Sequence, residues 1–305
     1  MKNDNYLGRG IHKEQFLKSL TSGKLKRMLY VINEDSDLDV QIRNNYLNIY
    51  YDGGNIAKVS SENSVVFDKN YFYTDMKNVP AKNISTEVKE VLTKKRNELI
   101  SKFKAGNFQQ YFDEAKNTMN AWFNANPKPE RKEQHLLSIG NRYRQSDYTI
   151  IDLEYQVSTE SEFYCTYIPE VKGETKKGKP KKPRFDIIAV NKSGKLCVIE
   201  LKKGSGALGS TSGLKEHHEC YKHSIGRNHK PFMDEMKNLL RQKQSFGLVD
   251  KRLEILSNEP EFIFAYSYAT DDTQKEDATF KKHYEELQEK PHVIKLIKGS
   301  WTLND

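Results

Sequence analysis

The stretch from Arg184 to Lys203, RFDIIAVNKSGKLCVIELKK, constrains this chain more than any other. Two runs rich in Val and Ile flank Asn191-Lys-Ser-Gly194, which predicts two strands joined by a tight turn. That connection suits a type I turn followed by glycine in the left-handed conformation, a three-residue hairpin loop. Such a loop pairs Asn191 with Lys195, and counting back along the hairpin sets Asp186 directly opposite Glu200. Side chains alternate along a strand, so Val198, Glu200 and Lys202 share one face while Cys197, Ile199 and Leu201 share the other. Facing Cβ atoms in such a pair lie about 4.5–5.5 Å apart. Two carboxylates that close repel unless a cation or a proton joins them. A shared Mg2+ or Mn2+, one ion or two, resolves the conflict with oxygen ligands. Lys202, one pleat further on, is placed to hold an attacking water or to stabilise developing phosphate charge.

The same stretch runs into a competing motif, Gly204-Ser-Gly206-Ala-Leu-Gly209. A dinucleotide-binding turn needs its first glycine directly after an apolar strand and an acidic residue about 20 positions later, at the end of the next strand. Here Glu200, Lys202 and Lys203 fill the strand end, and the later region CYKHSIGRNHK is basic and helical in pattern. The glycines therefore read as a turn beside a site rather than as a phosphate cradle.

Around the hairpin the element order is legible. NPKPE (126–130) punctuates the chain and divides a segment 1–125 from a segment 126–305. In the first, HKEQFLKSLTSGKLKRMLYVINED reads as a helix and a short mixed segment, and residues 38–75 alternate as an antiparallel meander. ISTEVKEVLTKKRNELISKFKAG and FQQYFDEAKNTMNAWFNAN then show helical spacing. In the second, ERKEQHLLSIGNRY is a helix, YTIIDLEYQV a strand and SEFYCTYI a further candidate strand. The hairpin follows, then a helix at GLKEHHECYKHSI, a strand at EFIFAYSYA, a helix and a last strand at HVIKLIKGSWTL. The expected fold is α+β overall, with an α/β sandwich on a mixed sheet in the second half.

This order, with RFDIIAV…KLCVIELKKG at its centre, resembles the PD-(D/E)XK nuclease superfamily, the restriction-endonuclease-like fold, over roughly residues 130–270. The resemblance implies that Asp186 and Glu200 are metal-binding acids and Lys202 the catalytic lysine. It also implies an acid on the first helix, and Glu133, followed by Leu136 and Leu137, fits that place; Glu133 is equally a first-turn acid favoured by the helix dipole. Phe185 stands where the family pattern has proline before the Asp. The implied activity is metal-dependent hydrolysis of phosphodiester bonds in nucleic acid, DNA ahead of RNA. The alternative is an inactive nucleic-acid-binding or interaction module of a defence or repair assembly. A homodimer is an open option, and no membrane partner is expected.

Charge and remaining residues refine this. The chain of 305 residues carries a net +8, and residues 171–184, VKGETKKGKPKKPR, hold seven basic residues and one acid. Without that loop the second half has 24 Lys and Arg against 26 Asp and Glu. The loop is either solvated chain or a phosphate-contacting arm. In the second case Lys176, Lys177, Lys179, Lys181, Lys182 and Arg184, with Lys203 and Lys215, are the nucleic-acid contacts. Asp152 and Glu154 share a face of their strand, either beside the site or merely solvated, with Glu154 the better candidate for a part in the site. His217, His218, Cys220 and His223 lack a second ligand pair for zinc, and Lys215 and His218 are the residues expected to reach back toward the site or a phosphate. The aromatics of YLNIYY and NYFYTD read as meander core ahead of base-stacking platforms. Cys165, Cys197 and Cys220 lack paired spacing and read as reduced thiols. No apolar run approaches the ~18 residues of a membrane span, and the polar start suggests a cytoplasmic protein.

Overall fold

The computed structural model describes residues 8–73, 85–142, 146–158, 184–209, 213–227, 229–296 and 301–304. Lys176, Lys177, Lys179, Lys181, Lys182, Cys165 and the candidate strand SEFYCTYI lie outside the described residues. The fold is mixed α+β, with a four-stranded antiparallel sheet and a five-stranded mixed sheet. Two units are distinguished, one formed by Arg9–Ile139 with Gln242–Leu248 and the other chiefly by Gly140–Arg241 with Val249–Asp305. No described helix is long and apolar enough to cross a membrane.

The first unit opens with α1 (Glu14–Thr21) and α2 (Lys24–Glu34), two helices where the sequence suggests one and a mixed segment. The break is Gly23, in extended conformation, where a Cβ would come within 2.8 Å of the Ser19 Cα, so only glycine lets the chain turn there. The meander follows as β1 (Leu38–Arg43), β2 (Tyr46–Tyr51), β3 (Gly54–Ser61) and β4 (Ser64–Val66), each antiparallel to the next. Asp52 (φ 46°) and Gly53 (φ 78°) link β2 to β3 with the two positive φ values that match strand twist. Leu47 and Ile49 form the core face of β2. Its tyrosines are half-buried instead of core: Lys58 lies 4.1 Å above the Tyr46 ring, and the Tyr51 hydroxyl donates to Asn120 at 2.8 Å.

Helix α3 (Thr86–Ala105) starts at Ser85, whose hydroxyl accepts from Val88 N, and stops at Gly106 in the left-handed region. Helix α4 (Phe108–Ala125) buries Tyr111, Phe112, Ala115 and Met119, and α5 (Pro129–Gly140) completes the unit. The sequence assigns α5 to the second half, but it is anchored to the first sheet. His135 Nε2 bonds to Asp37 O at 2.9 Å, Lys132 pairs with Asp52 at 2.9 Å, and Gln41 Nε2 lies 3.4 Å from Ser138 Oγ.

The second unit carries β5 (Tyr148–Gln156), β6 (Arg184–Asn191), β7 (Leu196–Lys203), α6 (Leu214–Tyr221), α7 (beginning at His229), β8 (Glu261–Ser267), α8 (Thr273–Glu285) and β9 (His292–Leu296). Sheet order is β5-β6-β7-β8-β9, with the first three antiparallel and the β7–β8 and β8–β9 pairs parallel. The central strands are covered on both sides, so β6, β7 and β8 are apolar almost without alternation. Helix α7 is absent from the sequence reading. Yet Phe232, Met233, Met236, Leu239 and Leu240 are buried at the i, i+1, i+4, i+7, i+8 spacing of an amphipathic helix.

Candidate active site

The β6–β7 hairpin sets the geometry. Asn191 Oδ1 accepts from Ser193 N at 3.0 Å and Lys195 N at 2.9 Å, and Gly194 takes φ 80°. Asn191 N donates to Lys195 O at 3.0 Å, the pairing that the turn chemistry requires. From there the register runs Val190↔Leu196, Ala189↔Cys197, Ile188↔Val198 and Ile187↔Ile199, which brings Asp186 level with Glu200. The backbone ladder ends at this point. The next inward-facing amide, Leu201 N, donates to Asp186 Oδ2 at 3.0 Å.

Glu200 is 3 % exposed. Its Oε1 accepts from Lys202 Nζ at 2.9 Å and contacts His217 Nδ1 at 2.6 Å, while Oε2 is buried and has no hydrogen-bond partner. The two acids diverge in protonation. Burial and the neighbouring Glu200 charge push the Asp186 carboxyl up to about 8, against the opposing pull of the Leu201 amide. Burial also works to raise Glu200, but the His217 bond and the Lys202 charge hold it below its ordinary value. Lys202 is itself buried at 4 % exposure, on the same face of the sheet.

The neighbouring strand β5 is irregular here. Asp152 pairs with Ile188 on the same face as the carboxylates and is fully buried. Glu154, level with Asp186, takes φ 48°, an uncommon conformation for a glutamate, and its carboxylate binds Arg184 at 2.6 Å. The register shift of β5 lies between Ile150 and Asp152, and from Asp152 onward the pairing with β6 is regular. Arg184 contributes to this ion pair at the strand edge, and Lys203 and Lys215 are exposed.

On α6 it is His217 that meets Glu200. His218, expected to reach the site, stacks on Phe262 with ring centroids 5.5 Å apart, and burial lowers its pKa. The signal was present: Leu214, His218 and Tyr221 fall at i, i+4, i+7 and form the buried stripe of the helix. Sequence reasoning also missed Glu276 on α8. Its buried carboxylate accepts from the Tyr266 hydroxyl (2.9 Å), Ala269 N (3.1 Å), Thr270 N (2.6 Å) and Thr270 Oγ1 (2.6 Å). Burial opposes ionisation, yet these donors hold its pKa at about 2. Tyr266 is paired with Lys202 across β7 and β8, so Glu276 braces the strand end that carries the lysine.

Glu133 lies on α5, in the first unit. Among the described residues no group of three or more His, Cys, Asp or Glu is arranged to hold a metal ion. Mg2+ is commonly held by one or two carboxylates and keeps several waters. The Asp186–Glu200 pair, with one buried carboxylate oxygen lacking a donor, fits that mode.

The glycine triplet behaves as a turn. Gly204 takes φ 65° and a Cβ there would lie 2.6 Å from the Ala269 Cβ, whereas nothing stands within 4 Å of one at Gly206. A single 3-10 turn, Ser205–Ala207, follows the strand, and the α-helix α6 begins only at Leu214. Compared with protein-family models, curated proteins and solved structures, the chain matches none.

Proposed function

We propose that the second unit is a metal-dependent nuclease that hydrolyses phosphodiester bonds in nucleic acid, DNA ahead of RNA, on a restriction-endonuclease-like core. The observation that carries the reading is Glu200 Oε2, a buried carboxylate oxygen without a donor, on the strand level with Asp186. Such an atom is costly in a folded protein unless something positive meets it. Asp186 and Glu200 would hold Mg2+ or Mn2+, which when bound supplies charge neutralisation and a lowered pKa for water. Lys202 stands on the same face, where its Nζ would donate to a phosphate oxygen or to the attacking water. Glu276 and Tyr266 keep the end of β8 in place beside it.

A second reading, a nucleic-acid-binding or interaction module whose acids serve the fold, draws on the Lys202–Glu200 ion pair. Cleavage of plasmid, single-stranded DNA and RNA with and without Mn2+ separates the two. Asp186→Asn and Glu200→Gln are expected to abolish cleavage. Lys202→Ala is expected to keep Mn2+ binding and lose on the order of 10²-fold in rate, as for one electrostatic stabiliser. Wild-type rates in either carboxylate variant would overturn the nuclease reading.

A further inference from the structure

We propose that His217 is the positioning residue of the carboxylate pair: it fixes Glu200 by one oxygen so that the other is presented to a cation. The assignment rests on the metal-dependent reading above. A glutamate side chain on a strand has three torsions to settle, and a carboxylate free to rotate makes a weak ligand. Lys202 engages the same oxygen, but it sits two residues along the same strand, moves with it, and brings a charge that opposes a bound cation. His217 approaches from another element. It lies on α6, whose Tyr221 stacks on Phe262 of β8 with centroids 4.8 Å apart and donates its hydroxyl to Pro260 O at 2.9 Å. Stacking of His218 on the same Phe262 fixes the helix a second time. The bond of 2.6 Å from His217 Nδ1 to Glu200 Oε1 thus ties the ligand on β7 to a helix anchored on β8. In its Nδ1–H form the ring donates, Oε1 is occupied, and Oε2 is left as the free face of the carboxylate.

The test is Mn2+ titration by calorimetry on the full chain, in the wild type and in His217→Ala, His217→Asn and Glu200→Gln, each with a thermal melt. The side chain is 24 % exposed on a helix, a position where alanine is tolerated. His217→Ala is expected to weaken Mn2+ binding about 10–100-fold, the range for removing an outer-shell partner of a ligand. In His217→Asn the amide Nδ2 takes the place of the ring Nδ1, and most of the affinity is expected to return. A merely structural histidine would lower the melting temperature in both variants and show no such rescue. If His217→Ala binds Mn2+ like wild type while Glu200→Gln does not bind, the His217 assignment falls alone. A wild type that binds no Mn2+, or a Glu200→Gln variant that binds as well as wild type, overturns both readings. Should His217→Ala fail to fold, His217→Asn decides: weak binding by the folded asparagine variant overturns the assignment.

Discussion

Asp186 and Glu200 carry the same functional group one strand apart, yet their surroundings drive their protons in opposite directions. Glu200 has two donors on one oxygen, whereas Asp186 has a single backbone amide and an anion for a neighbour. A carboxyl raised from 3.8 to about 8 in the fold binds its proton more tightly than in the unfolded chain. Between those two values the folded state holds more protons, so stability falls as pH rises, and it levels off above about 8. The slope for one such group is at most about 1.4 kcal/mol per pH unit, and partial exposure of Asp186 reduces it. Urea unfolding of wild type and Asp186→Asn at pH 5 and pH 8.5 checks this. The variant is expected to lose much of the pH dependence and to be the more stable protein at pH 8.5. A divalent ion, which favours the ionised form, is expected to restore the wild type there. Parallel pH profiles for the two proteins would show that Asp186 ionises freely in the fold.

At the scale of elements, the hairpin was legible because turn chemistry fixes register: Asn191 and Gly194 determine which residues face each other before any packing is known. The meander and α3 and α4 were legible for similar reasons, through Asn, Asp and Gly turns, a Ser cap and a repeating apolar face. What escaped were the features set by close approach. The α1–α2 break depends on one glycine against Ser19, and the register shift of β5 between Ile150 and Asp152 leaves no trace in its composition. The place of α5 depends on contacts with Asp37, Gln41 and Asp52, none adjacent to it in sequence. His217 and Glu276 escaped because each acts through a partner on a different element. The glycine triplet offers a direct check on reading a turn from such contacts. Gly204→Ala meets Ala269 and a positive φ, so it is expected to destabilise by about 1–3 kcal/mol. Gly206→Ala, with open space around it, is expected to be neutral or to stabilise by up to about 1 kcal/mol. Equal denaturation midpoints for the two variants would refute the distinction.

For the whole molecule, the basic excess is concentrated rather than spread: residues 171–184 hold seven of the 31 Lys and Arg of the second half and one of its 27 acids. They lead directly into β6, whose third residue is Asp186. Lysines that neutralise phosphates release counterions, and log K falls with log salt by about 0.9 per contact on duplex DNA. Replacing Lys176, Lys177, Lys179, Lys181 and Lys182 with Ser is therefore expected to weaken DNA binding and flatten the salt slope by roughly one unit per true contact. Mn2+ binding is expected to stay as it was. Anisotropy titrations across a range of salt read both, and an unchanged slope would reduce the loop to solvated chain. The order of the five-stranded sheet has a consequence for the making of the protein as well. Asp186, Glu200 and Lys202 leave the ribosome together, but β8, which flanks them, and Glu276, which braces β8, are translated some 60 to 75 residues after Glu200. A lone hairpin is at best marginally stable in water. A nascent chain thus carries the Asp186–Glu200 pair before β8 and Glu276 are there to flank and brace it.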